Sequence, residues 1–196
     1  MLQLHKIQFL FLAGLAAALT ACIQPAELPI LGQVPDFSLT ERSGENASLS
    51  QLKGAPWVAN FVFTTCQGPC PMLTARMADV QRETLPLENV RLVSFSVDPE
   101  TDTPEILAEY ADAFGADPQR WLFLTGEKQS IYDLVVKGFK LGLDFGAGSP
   151  DEPGPGIIIH STRFALIDSV GQIRGYYFGT EDDLLDTLLA DLKQLL

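Results

Sequence analysis

Two cysteines separated by three residues, and one histidine, are the side chains in this 196-residue chain best suited to chemistry. The thiols lie in Thr64-Thr65-Cys66-Gln67-Gly68-Pro69-Cys70-Pro71, directly after the apolar run Trp57 to Phe63, and the histidine is His160. His5 and Cys22 fall near the N-terminus and have a separate explanation. Two thiolates and one imidazole make a three-ligand set that suits Cu(I), a soft ion content with low coordination. The same thiol pair is what disulfide exchange needs. Structural zinc normally takes four ligands, and no further thiol or imidazole remains for it. Met72 and Met77 carry thioethers, but their helical positions fit core filling better than ligation.

The spacing of the thiols sharpens the question without closing it. Gly68-Pro69 makes a turn and Pro71 favours a helix start, so Cys70 is expected at the helix N-cap, with Cys66 just upstream. Unpaired N–H groups and the positive end of the helix dipole stabilise a thiolate there, and lowered thiol pKa values are expected. A three-residue spacer leaves a wider gap than the two-residue spacer common in dithiol oxidoreductases. A disulfide stays feasible if the Cα atoms come within roughly 7 Å. A purely structural bridge closing so small a loop gains little chain entropy. His160 ends the run Ile157 to Ile159, where it is either a hydrogen-bonded strand-end residue or the third ligand. The stretch Gly142 to Gly156 before it is heavy in Gly, Pro and acids and is expected to be a mobile loop, able to bring the ring to the thiols or withdraw it.

Strands and helices must position these groups. Asp36 to Thr40 and Ala47 to Leu49 read as a hairpin around the turn Ser43-Gly44-Glu45-Asn46. Trp57 to Phe63 reads as a central strand covered on both faces, and a helix follows from Pro71 to about Leu85. Val90 to Val97 is a second central strand. Thr103 and Pro104 then cap and open a helix to about Phe114. Trp121 to Thr125 is another strand and Glu127 to Lys140 another helix. Ile157 to His160, Arg163 to Asp168 and Gln172 to Phe178 resume β pattern. The final helix, Glu181 to Leu196, places Leu184, Leu185, Leu188, Leu192 and Leu195 near one face. Alternating strands and helices predict an α/β fold, a thioredoxin-like mixed sheet flanked by helices. An N-terminal hairpin and a C-terminal hairpin plus helix complete it.

The N-terminus reads as an export signal. Lys6 precedes an apolar run from Ile7 to Leu19, shorter than the roughly 20 residues that a membrane-spanning helix needs. Leu19-Thr20-Ala21-Cys22 resembles a bacterial lipobox, which implies cleavage before Cys22 and lipidation of its thiol. The expected organisation is therefore a signal peptide over 1–21, a tether over 22–34 and one copper-binding domain over 35–196. The formal charge of −12 becomes one unit more negative once Lys6 leaves with the leader. Such an acidic surface argues against nucleic acid as a partner. The location expected is extracytoplasmic, on the periplasmic side, with the lipid in the membrane.

In these residues the chain resembles the Sco/SenC family of copper proteins, which assist assembly of the copper A site of cytochrome c oxidase. The resemblance rests on Pro35-Asp36-Phe37-Ser38-Leu39, on Phe61 to Pro71 with its CxxxC pair, and on Val97-Asp98-Pro99-Glu100-Thr101-Asp102-Thr103-Pro104. His160-Ser161, then Leu166-Ile167-Asp168 and Gly171, follow in family order. It implies copper, as Cu(I) or Cu(II), held by Cys66, Cys70 and His160. Partners implied are the oxidase copper-site subunit and another periplasmic copper chaperone. Asp98 and Asp102 match the family's acidic motif, either supporting the ligands from behind or forming turns and helix caps. Gln67-Gly68-Pro69 departs from the Pro-Asp-(Val or Ile) usual between the cysteines, so the acid beside the thiols is missing. The chain then acts as a lipid-anchored copper chaperone. Alternatively, it is a thiol-disulfide oxidoreductase that reduces the oxidase cysteines through the redox pair Cys66 and Cys70.

Overall fold

The computed structural model describes residues 27–87, 89–141 and 161–196. The leader, Cys22, the loop Gly142 to Gly156 and the run Ile157 to His160 lie outside the described residues. Eight strands form one mixed sheet: β1 (Gly32–Gln33), β2 (Ser38–Glu41), β3 (Asn46–Ser48), β4 (Trp57–Val62), β5 (Arg91–Ser96), β6 (Trp121–Thr125), β7 (Arg163–Ile167) and β8 (Gln172–Phe178). Their spatial order is β1-β8-β7-β4-β5-β6-β2-β3. Strands β4, β5 and β6 run parallel and every other pairing is antiparallel.

The central position of β4 follows from its composition. All six of its residues are buried, as an apolar strand covered on both faces requires. Trp57, Ala59 and Phe61 face a core closed by α1 (Leu49–Leu52) and by α4 (Lys128–Asp133). Val58 faces a second core closed by α2 (Cys70–Glu83), α3 (Pro104–Ala113) and α5 (Leu184–Gln194). In α5, Leu184, Leu188 and Leu192 are buried, the stripe that the leucine spacing predicts. Thr103 caps α3 through its hydroxyl, which accepts from the Ile106 N–H, and Pro104 occupies the first turn.

Several expectations need correction. The segment predicted as tether is part of the sheet from Gly32, because β1 pairs with β8 through Gly32 with Ile173 and Gln33 with Gln172. Val34 is fully covered. Leu49 does not extend the hairpin but starts α1, where the Ser48 N–H donates to Gln51 Oε1 at 2.8 Å in a capping box. The predicted helix over Glu127 to Lys140 is α-helical only to Asp133. It widens into a π turn over Leu134–Gly138, and Lys140 sits at φ 51°. Gly138 packs so closely on Pro35 that an added Cβ would meet its ring at 2.7 Å. This turn sets Phe139 against Trp57, Phe61 and Phe95 at centroid distances of 6.2, 5.0 and 5.5 Å.

Candidate metal and thiol site

The cysteine loop springs from the buried end of β4 and closes into α2. The Cys66 N–H donates to the Phe63 carbonyl at 3.3 Å, a turn that brings Cys66 back toward the start of the helix. Pro69 is the N-cap and Cys70 the first helical residue, one position inside the cap expected for it. Both cysteines are free and buried, at 8% and 5% exposure. The two side chains are close enough for Cys66 to act on the titration of Cys70. A Cβ at Gly68 would stand in ordinary contact with Cys66 Sγ, at 3.8 Å.

The helix start does not produce the lowered thiol pKa expected for Cys70. Burial pushes this thiol up from 9.0 to about 12, helped by the hydrogen bond and charge of Cys66 and by the charge of Asp102. A backbone hydrogen bond from Phe63 acts in the opposite direction and loses. Removing a thiolate from water costs more here than the helix terminus returns.

Asp102 holds the loop in place. It is completely buried and accepts from the Thr64 N–H at 3.2 Å, from the Thr64 hydroxyl at 2.5 Å and from the Ser96 hydroxyl at 2.6 Å. These donors meet the requirement that a buried carboxylate be hydrogen-bonded. The Asp102 N–H also donates to the Asp98 carbonyl at 2.9 Å, so the same residue closes the turn after β5. Asp98 is half-buried in that turn, and its carboxylate makes no hydrogen bond or ion pair among the described residues.

Two hydroxyls absent from the sequence reading stand behind Cys70. The single hydroxyl proton of Thr74 goes to the Cys70 carbonyl at 2.9 Å. The Tyr110 hydroxyl, 2.8 Å from Thr74 Oγ1, is then the donor to Thr74. Burial, and then the nearby Cys70, Cys66 and Asp102, raise the Tyr110 hydroxyl to about 12. Tyr110 lies on the inward stripe of α3 with Leu107 and Ala111, and that periodicity was the signal available for it. Of the two methionines, Met77 is core, whereas Met72 is 40% exposed on the first turn of α2.

The structure thus brings Cys66 and Cys70 together, with Asp102 bound to the loop at Thr64 and near enough for its charge to reach Cys70. His160 and Cys22 lie outside the described residues. Among the described residues no three His, Cys, Asp or Glu side chains converge to hold a metal. The thiols supply two soft donors, which fits a soft ion that takes its further ligand from elsewhere.

The comparisons with known proteins agree on one family. The SCO1/SenC family model matches residues 31–196. A SCO1 protein homolog of Bacillus subtilis is 38% identical over 168 residues, which cover 84% of this chain and 83% of that protein. A SCO1/SenC family lipoprotein of Bacillus anthracis superposes with a TM-score of 0.74 at 33% identity, over 89% of this chain and 99% of its own. BsSco, a member of the Sco family of cytochrome c oxidase assembly proteins with a disulfide switch, matches at 0.74 and 33%, over 88% and 98%. ScoI of Bradyrhizobium japonicum, solved with copper bound, matches at 0.67 and 25%, over 84% and 100%. The mixed, thioredoxin-like sheet flanked by helices is their shared architecture, and this chain belongs to the SCO1/SenC family.

Proposed function

We propose that this protein is an extracytoplasmic copper carrier, anchored by a lipid on Cys22, that serves assembly of the copper A site of cytochrome c oxidase. Cys66, Cys70 and His160 hold the ion, and Asp102 fixes the loop that presents the thiols. The carrying observation is a pair of free, buried thiols at the β4–α2 junction of a SCO1/SenC domain. The copper-bound relative and the soft donor set support copper as the cargo. The lipobox at Leu19 to Cys22, and the lipoprotein relative, support the anchor.

Because burial favours the protonated Cys70, copper must displace a proton on binding, and uptake is coupled to proton release. Two free thiols on one short loop also favour a second reading, thiol-disulfide exchange with the oxidase cysteines. The two separate in one experiment on the reduced full chain in detergent. Carriage predicts a thiolate-to-copper charge-transfer band on adding Cu(II), and one-to-one retention of Cu(I) against a strong chelator. Both are weakened at least about tenfold by His160→Ala, the loss of one of three ligands. If His160→Ala retains copper like the wild type and exchange with a target disulfide persists, the reductase reading replaces the carrier.

A further inference from the structure

The end of the domain remote from the thiols carries a surface that the copper chemistry does not use. Trp57 pairs with Arg91 on one side and Ile167 on the other, so the starts of β4 and β5 and the end of β7 share one edge of the sheet. The cysteine loop leaves from Val62 at the other edge, about 17 Å away at the rise of a strand. At the remote edge Lys53, Arg91 and Arg120 line a groove of about 280 Å³ together with Gly54, Asn89 and Gln119. No carboxylate among the described residues lines it, in a chain of net charge −12 that has only 13 Lys and Arg. Arg91 is exposed and makes no ion pair among the described residues. Lys53 has only the exposed Asp36, at 3.9 Å. Arg120 is the less accessible of the three: it donates to the Thr84 carbonyl at 2.8 Å and hydroxyl at 3.2 Å, and its Nη1 is buried without a partner among the described residues.

Aliphatic side chains continue this surface. The Gly54 N–H donates to the Ser169 carbonyl at 2.8 Å, joining the groove to the β7–β8 turn, where Val170 is 57% exposed. Gln33 bonds the carbonyls of Val170 and Gly171, which seats the N-terminal strap on the turn. The strap presents Ile30 and Leu31, both exposed. Arg174 fastens it by donating to the carbonyls of Leu28 and Pro29 while paired with buried Asp168 at 3.0 Å. Glu27, 3.7 Å from Arg174, is the carboxylate at the strap's start.

Cations beside exposed aliphatic residues are the composition of a surface that meets anionic lipid. The chain itself brings the lipid near. Cys22 lies five residues ahead of Glu27, a reach of at most about 18 Å. We infer that this end of the domain docks on an anionic phospholipid surface, through Lys53, Arg91 and Arg120 with Ile30, Leu31 and Val170, and so holds the thiols pointing away from the bilayer. The inference rests on the lipid anchor proposed above, and the test separates the two.

The full chain, wild type and Lys53→Gln/Arg91→Gln, is reconstituted on phosphatidylcholine vesicles and on vesicles with about one-third phosphatidylglycerol. Flotation and amide hydrogen exchange are measured on each. The expected result is flotation on both, with slowed exchange around residues 30–31, 53–54, 89–91 and 170 only on the anionic vesicles. The cysteine loop keeps its exchange rate. The protection should fall about fivefold per cation removed. Flotation on both without that protection, or protection centred on residues 64–70, overturns the docking face and leaves the anchor standing. Flotation on anionic vesicles alone, lost in the double variant, overturns the anchor and supports the face. No flotation on either overturns both.

Discussion

Cys70 feels two opposing fields. The start of α2 offers N–H groups and the positive end of a helix dipole, which favour a thiolate. The surrounding core removes water, and this effect is larger, so the thiol is pushed up to about 12. Between its ordinary value of 9.0 and about 12, the folded state keeps a proton that the unfolded chain has lost. This contribution to stability is therefore complete below pH 9 and is lost progressively as the pH rises toward 12. Denaturant titrations of the reduced protein should show a lower midpoint at about pH 11 than at about pH 8, with a smaller drop in Cys70→Ser. An equal drop in both proteins would place the effect elsewhere. Alkylation of Cys70 in the folded chain should rise over the same range.

At the scale of elements, Asp102 joins the loop after β4 to the turn after β5. Removing its side chain leaves the Thr64 N–H and the hydroxyls of Thr64 and Ser96 without their acceptor in a buried place. Asp102→Ala is expected to destabilise the fold by about 2–4 kcal/mol, read from urea midpoints. It should also raise hydrogen exchange across residues 64–70. A change confined to copper binding, with stability intact, would show that the carboxylate acts on the ion and not on the loop. Of the acidic motif, Asp102 ties the cysteine loop to β5 through Thr64 and Ser96, while Thr103 supplies the helix cap. The π turn over Leu134–Gly138 is the other element that matters for the core. It places Phe139 among Trp57, Phe61 and Phe95, beneath the strand from which the cysteine loop leaves.

At the scale of the molecule, the N-terminal strap closes the sheet and fixes where the chain leaves the domain. Arg174 reaches two strap carbonyls and a buried carboxylate at once, although it stands on a strand where an apolar residue would serve the core. Replacing it by methionine keeps bulk but leaves Asp168 buried without its cation, a loss of about 3–5 kcal/mol. Arg174→Met should therefore lower the thermal midpoint and expose the chain around Leu28 to protease. Reversal by a second change, Asp168→Asn, would assign the cost to the unpaired carboxylate. Failure of that rescue would assign it to the strap contacts. The thiol site, at the opposite edge of the sheet, should bind copper as before.

The thiol pair with its CxxxC spacing and most of the order of elements were legible from the residues alone. Those features are local: Pro and Gly punctuate, strands alternate, and Leu184 to Leu195 repeat at helical spacing. The capping box at Ser48 and Gln51 was equally local, yet the short strand pattern before it concealed α1. What the tertiary structure decided depends on which distant groups become neighbours. Thr64 meets Asp102 across 38 positions, and Tyr110 reaches Thr74 across 36. Residues Gly32 and Gln33 gain strand character only because β8 offers them an edge. The protonation of Cys70 was settled in the same way. A helix start is a property of a few consecutive residues, but the loss of water around a thiol is produced by everything folded over it.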